Sequence, residues 1–306
     1  MSHIKFFFAV LITTAPTLAF AQSDAAMLKF QYPDGRITET TAKTEIKQTL
    51  EMNGVPMKTS NATSVTLRNE CGKRNADGMI TLTQATKDLK ADLDLGMAQI
   101  KFDSANPDAD PGNPQLQMIT DAMKFAVKAE KIMTLDKQNN AVKAELPEDL
   151  EVPANFENEY KNDTLVAQFQ SGQDVLPGKA LKKGETWERK SETPLGSGQV
   201  MTFTKTYTYE GIVEKEGRKL HKITSKVSGA DFQIANSPLP VELKTAELEP
   251  AESSQEILFD NQAGMIFSDD SSVRVTGKLT FAFGGQELGG KLDLTMASKQ
   301  KNKLVK

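Results

Sequence analysis

From Met201 to Tyr209 the chain reads Met-Thr-Phe-Thr-Lys-Thr-Tyr-Thr-Tyr, with Met201, Phe203, Tyr207 and Tyr209 at alternate positions and four threonines between and beside them. Successive side chains of a strand point to opposite faces, so a period of two marks a half-buried β-strand. The pattern recurs near the C-terminus, where Val273, Val275, Leu279, Phe281 and Phe283 alternate with Arg274, Thr276, Lys278 and Thr280. Leu288, Leu292, Leu294 and Met296 predict a return strand after a turn at Gly284-Gly285. In the first half, Leu89, Ala91, Leu93 and Leu95 alternate with Lys90, Asp92 and Asp94. One-sided strands of this kind fit an antiparallel sheet with one buried and one wet face.

Turn chemistry falls between these runs. Asn53-Gly54, Asp77-Gly78 and Glu216-Gly217 are pairs in which one or both residues tolerate the positive φ of a tight hairpin. Two helices interrupt the strands. Asn113-Pro114 supplies a cap and a preset first-turn residue, followed by Leu116, Ile119, Met123 and Val127 at helical spacing. Asp163 is placed to cap a shorter helix carrying Leu165, Val166 and Phe169, with Gly172 as its stop. The segment Thr134 to Val142 also aligns with Leu258 to Ile266: each is apolar, then Asp-x-Gln-x, then Asn or Gly, then two apolar residues. Two equivalent hairpins are expected, by duplication or by convergence on good turn chemistry.

These features predict an α+β fold, mostly antiparallel β. Its core is a long curved sheet, or two related sheets, with one or two covering helices, the first running from Pro114 to Lys128. Residues 1–21 read as a secretory signal peptide: Lys5 is basic, Phe6 to Ile12 are apolar, and Ala19-Phe20-Ala21 is a peptidase site. The apolar run is shorter than the roughly 20 residues that span a bilayer. Residues 22–306 then form a strand-rich exported domain, periplasmic or extracellular, which divides into similar halves 22–175 and 176–306 if the repeat is a true duplication. Position 22 is Gln, so no lipid-anchoring cysteine follows the cleavage site.

The full chain has 37 basic and 41 acidic residues, and Lys5 is the only one of them within the leader. The mild acidity argues against a nucleic-acid partner, which demands a concentrated basic face. Lys179 to Lys183 reads as a solvated loop, and Lys299 to Lys303 as a frayed terminus. Cys71 is the single cysteine, so no intramolecular disulfide forms. It lies in a polar, turn-like stretch among Arg68, Lys73 and Arg74, cations that could lower its pKa.

Lys183-Gly184-Glu185-Thr186-Trp187 follows Leu176-Pro177 and opens the second strand-rich half. With Phe102-Asp103-Ser104, Leu135-Asp136 and Leu258-Phe259-Asp260 followed by Gly264, it resembles a family of secreted proteins of unknown function, found largely in planctomycete-type bacteria. The resemblance covers most of the mature chain in order, through short motifs. It implies export and a two-part strand-rich body and carries no catalytic residues.

Chemistry-bearing residues are sparse. His221 is the one histidine after the leader, in a strand-like context beside Lys219 and Ile223, and no Gly-x-Ser-x-Gly elbow accompanies it. One His and one Cys do not build a closed zinc site. Asp103, Asn106, Asp108 and Asp110 gather oxygen ligands on one loop but lack the spacing and terminal Glu of a helix-loop-helix calcium site. Asp269-Asp270 reads as a polar turn, and Glu242, Glu247 and Glu249, between Pro240 and Pro250, as a solvated linker. The sequence therefore assigns no catalytic, cofactor or metal residues. A curved sheet roofed by a helix can enclose an apolar cavity, so the leading expectation is a binding or carrier protein for an apolar ligand. The alternatives are a structural or protein-interaction module of the cell envelope and an extracytoplasmic hydrolase.

Overall fold

The computed structural model describes residues 25–52, 54–96, 98–107, 114–196, 198–234 and 242–306. The leader therefore lies outside the described residues. The strands are β1 (Ala26–Met27), β2 (Ile37–Met52), β3 (Val55–Cys71), β4 (Ile80–Asp94), β5 (Gln99–Asp103), β6 (Lys131–Leu135), β7 (Ala141–Glu145) and β8 (Ala180–Leu181), followed by β9 (Thr186–Gly196), β10 (Gln199–Lys215), β11 (Arg218–Ile234), β12 (Glu242–Asp260), β13 (Met265–Phe283) and β14 (Gln286–Leu304). Helix α1 spans Pro114–Lys128 and α2 spans Asn162–Ser171.

Among the described residues, twelve strands form one curved, unclosed sheet in the order β7-β6-β4-β3-β2-β14-β13-β12-β11-β10-β9, with β5 also on β4. Every pairing is antiparallel, and β1 pairs separately with β8. The two helices are too little to make the fold a balanced α+β one; it is a β-sheet protein with a partial helical cover. The turns form where their residues allow. Glu216 and Gly217 both have positive φ between Lys215 and its partner Arg218, and Gly284 and Gly285 do the same between Phe283 and Gln286.

Several sequence expectations are corrected. Glu242 to Glu249 is not a linker but the start of β12, paired with β13 along its whole length. Pro250 is accommodated because β12 meets β11 only through Gln255 to Phe259, so at Pro250 the strand has one partner and a register shift. Asp269-Asp270 is mid-strand in β13, and Lys299 to Lys303 belong to β14, where β2 pairs with all of them and β13 with Lys299 to Lys301. Ala180-Leu181 pair with β1, and Leu181 is fully buried. Helix α2 starts at Asn162, with Lys161 rather than Asp163 at its cap, and Gly172 ends it in a right-handed conformation.

The strands keep one face inward by skipping phase. Register shifts leave Lys87, Ser228 and Phe267 unpaired, so Leu82 and Leu89, Ser225 and Ala230, and Ile266 and Asp269 line the same side despite their odd and even numbers. At one end this face buries Leu28, Trp187, Tyr207, Tyr209, Ile223, Ile257 and Phe259, with Trp187 stacked on Tyr207 at 5.6 Å between ring centroids. Beside it, Ile80, Leu82, Met133, Leu135 and Leu165 pack beneath α2. At the other end Met201, Phe203, Phe232, Val275, Leu279, Phe281, Leu292 and Leu294 form a third cluster. Each such side chain contributes about 1.5–3 kcal/mol when fully buried.

The two matched segments both form hairpin turns, β6–β7 at the edge of the sheet and β12–β13 in its interior. Leu135 lies opposite Ile80 where β6 joins β4, and Phe259 lies opposite His221 where β12 joins β11. The two turns hold the N-terminal segment between them. Asn139 Nδ2 donates to the Phe30 carbonyl at 3.2 Å, and the Gln31 N–H donates to the Gly264 carbonyl at 2.9 Å.

Candidate ligand-binding chambers

The alternating row Leu89, Ala91 and Leu93 on β4 forms the floor of a cavity of about 460 Å³, with Asn61 and Thr63 of β3 beside it. Its roof is α1. Leu116 and Phe125 are the buried anchors of the helix, and Phe125 meets Tyr160 edge-on at 4.9 Å. Thr86 Oγ1 donates to the Ala126 carbonyl at 3.1 Å, tying the helix C-terminus to β4. Between these anchors the helix presents Ile119, Ala122, Met123 and Ala126 to the sheet, and the two alanines leave the space that larger side chains would fill. Phe156, Glu159 and Tyr160 complete the wall, with Lys131 and Gln168 beside them. The same rows run on past the cavity to side chains that are partly in solvent: Leu95 is 41% exposed, Met57 47% and Val55 65%.

A second cavity, of about 340 Å³, adjoins the first, and Lys131 and Gln168 line both. It lies against α2 and the segment from Phe30 to Tyr32. Its polar lining comes from Thr38, Thr40, Asn69, Gln84, Gln173, Gln300 and Asn302, with Arg36 and Lys131 as cations. No Asp or Glu lines it among the described residues. The Arg36 guanidinium donates to the Gln31 carbonyl at 2.8 Å, and burial draws its pKa down. Lys131 stands on the inward row of β6 with Met133 and Leu135, a cation where the alternation calls for an apolar residue. Burial lowers its pKa as well. Its ammonium lies 5.9 Å from the Tyr160 ring centroid, with no hydrogen bond or ion pair to it among the described residues.

A third cavity, of about 260 Å³, separates the aromatic and aliphatic ends of the inner face. Beside its serine-rich lining runs a part-buried polar chain. Ser225 Oγ donates to Gln255 Oε1 at 2.7 Å, and Gln255 Nε2 donates to both Asp269 oxygens at 2.9 and 3.0 Å. Burial raises the Asp269 pKa and lowers that of Lys205, and their mutual attraction opposes both shifts.

The residues singled out in the sequence do not converge. His221 is 9% exposed; its Nδ1 lies 2.7 Å from the Tyr209 hydroxyl, with the rings stacked. Cys71 packs in the cluster beneath α2, 8% exposed, and burial raises its thiol pKa against the pull of Arg36 and Arg74. The expected electropositive activation is therefore outweighed by desolvation. Asp103 is engaged by Lys90 Nζ at 3.0 Å and by the Ala105 N–H at 2.9 Å, while Asp108 to Gly112 lie outside the described residues. Among the described residues there is no cluster of three metal-ligating side chains, and no helix is long and apolar enough to cross a membrane. Sequence reasoning passed over Arg36 and Lys131. Lys131 had one legible signal, its place in Lys131-Ile132-Met133-Thr134-Leu135, where alternation groups it with two core residues.

No family model matches the chain, and no curated protein matches it. Among solved structures, lipovitellin in a study of lipid–protein interactions is 12% identical with a TM-score of 0.39, over 90% of this chain and 26% of its own. This chain thus spans about a quarter of that protein's length. The outer membrane protein OprG from Pseudomonas aeruginosa is 7% identical over 90% of this chain and 99% of its own, at a TM-score of 0.21. A DUF1329 family protein from Desulfovibrio piger is 7% identical over 84% and 83%, at 0.14. These similarities are too distant to carry an argument, so the functional reading rests on the chambers.

Proposed function

We propose that this chain is an exported binding or carrier protein for an apolar molecule, taken up between α1 and the inner face of β3 and β4. The observation that carries the reading is the cavity of about 460 Å³ with its apolar floor and roof. That size falls within the roughly 300–1,000 Å³ of small-molecule sites, which are mostly apolar with a few placed polar groups. The exposed apolar residues Val55, Met57 and Leu95 continue the cavity wall outward and suit the approach of an apolar ligand from that end. Export is proposed from the leader at residues 1–21, and kinship with the secreted planctomycete-type family from the motifs quoted above.

Native mass spectrometry of protein purified from its own host tests the reading. The expected result is a co-purifying apolar species in the wild type that is lost in Ala126→Trp, where the indole fills the space beneath the helix. A ligand-free wild type that also fails to bind any long-chain compound added to it would overturn the proposal.

A further inference from the structure

The two adjoining chambers differ in chemistry, and the difference describes a ligand. One is apolar in floor and roof, with Glu159 the single carboxylate on its wall among the described residues. The other mixes apolar side chains with amides, hydroxyls and two cations and has no carboxylate among the described residues, and Lys131 stands at their junction. Withdrawing an ammonium from water is costly unless an anion or a set of acceptors replaces the lost hydration. Here only the face of the Tyr160 ring does so among the described residues. A cation–π contact at 5.9 Å leaves all three N–H donors of the ammonium without an acceptor, which an anion would supply. Arg36 gives one donor to the Gln31 carbonyl and has Asp260 near enough to favour its charge. The Lys131 ammonium makes no hydrogen bond among the described residues, so Lys131 is the cation with all its donors unspent.

We infer that the ligand is an amphiphile with an anionic headgroup, its chain under α1 and its head in the polar chamber against Lys131. This rests on the apolar-ligand reading above and adds the head. A single chain bearing a carboxylate or a phosphate meets the requirement. Its head replaces the missing anion, and the amide side chains of Gln84 and Gln168 supply further donors along the same wall.

The test measures affinities of the full mature chain for a long-chain fatty acid, the alcohol of the same chain length and a lysophosphatidate of matching chain, in wild type and in Lys131→Met. The methionine keeps the stem of the side chain and removes a half-buried charge, and a thermal melt confirms that the variant folds. Wild type is expected to bind one or both anionic ligands at least about tenfold more tightly than the alcohol. In Lys131→Met that preference should disappear, the anionic ligands binding no more tightly than the alcohol does to the same variant. Which anion wins separates carboxylate from phosphate. Equal affinity for acid, phosphate and alcohol in wild type would overturn the headgroup inference and leave the apolar reading standing. A preference that survives in Lys131→Met would overturn the role of Lys131. Failure of all three ligands to bind would overturn both readings.

Discussion

Gln48 Nε2 of β2 donates to Gln199 Oε1 of β10 at 3.3 Å, although β14, β13, β12 and β11 lie between those strands in the sheet. The contact exists because the second half curls until its inner face closes on itself. Leu50 and Met52 thereby join Met201, Phe203 and Phe281 in one cluster. A flat sheet of the same pairing would leave this face wet.

The curl predicts a steep contrast between the two faces of β13. Phe281 is 3% exposed in the enclosed cluster, whereas Thr276 lies on the opposite face. Phe281→Ala should cost about 3–5 kcal/mol in urea unfolding. Thr276→Ala should stay within about 0.5 kcal/mol of wild type. Equal small losses would place the phenylalanine outside a core.

Gly277 sets how closely β12 and β13 approach. A β-carbon there would overlap the Glu247 carbonyl oxygen and lie 2.8 Å from the Leu248 Cα, while one at Gly289 meets nothing within 4 Å. Gly277→Ala is expected to lower stability by about 1–3 kcal/mol, as overpacking does. Gly289→Ala should be neutral or stabilise by up to about 1 kcal/mol through the unfolded chain. Paired denaturant curves read the difference.

His221 should give the fold a dependence on pH. Burial holds its pKa below the usual 6.5, so between the folded value and 6.5 the unfolded chain binds more protons than the folded one. Its contribution is therefore complete above about pH 6.5 and is lost as pH falls through the folded value. Asp269, whose pKa burial raises, acts with the opposite sign, its contribution fading as pH rises through its folded value. The difference between wild type and His221→Gln isolates the histidine. Urea midpoints should separate in slope as pH falls below about 6.5, and ligand binding at neutral pH should be unchanged in the variant.

Cys71 should behave as a core residue. With the thiol buried and its pKa raised, a thiol reagent at about pH 8 is expected to label it slowly in the folded protein and rapidly once urea unfolds the chain. Rapid labelling of the native protein, at the rate of a free thiol, would show that Arg36 and Arg74 outweigh burial.

The reach of the sequence is clearest where local chemistry suffices. Alternation marked the inward rows of β4, β10, β13 and β14, and turn pairs such as Glu216-Gly217 and Gly284-Gly285 marked their ends. The α1 stretch from Pro114 to Lys128 was legible from its proline and its apolar spacing. Where a strand skips phase, periodicity misleads. Phe267 is unpaired in β13, and this turns Asp269 inward, so a residue that reads as part of a polar turn becomes a half-buried carboxylate. Pro250 similarly hid the first half of β12, because its missing N–H is tolerated only where no strand lies on that side.

The sequence by itself determined the strand rows, their turns and the helix over them, because each depends on residues within a few positions of one another. Only the tertiary structure decided that the C-terminal lysines sit beside β2 in the middle of the sheet, that the inner face curls until Gln48 reaches Gln199, and that Lys131 stands at the junction of two adjoining chambers. Those outcomes depend on which distant strands pair and on how far register shifts bend them. The backbone hydrogen bonds that align β14 with β2 carry no side-chain identity, so no pattern of residues along the chain could announce them.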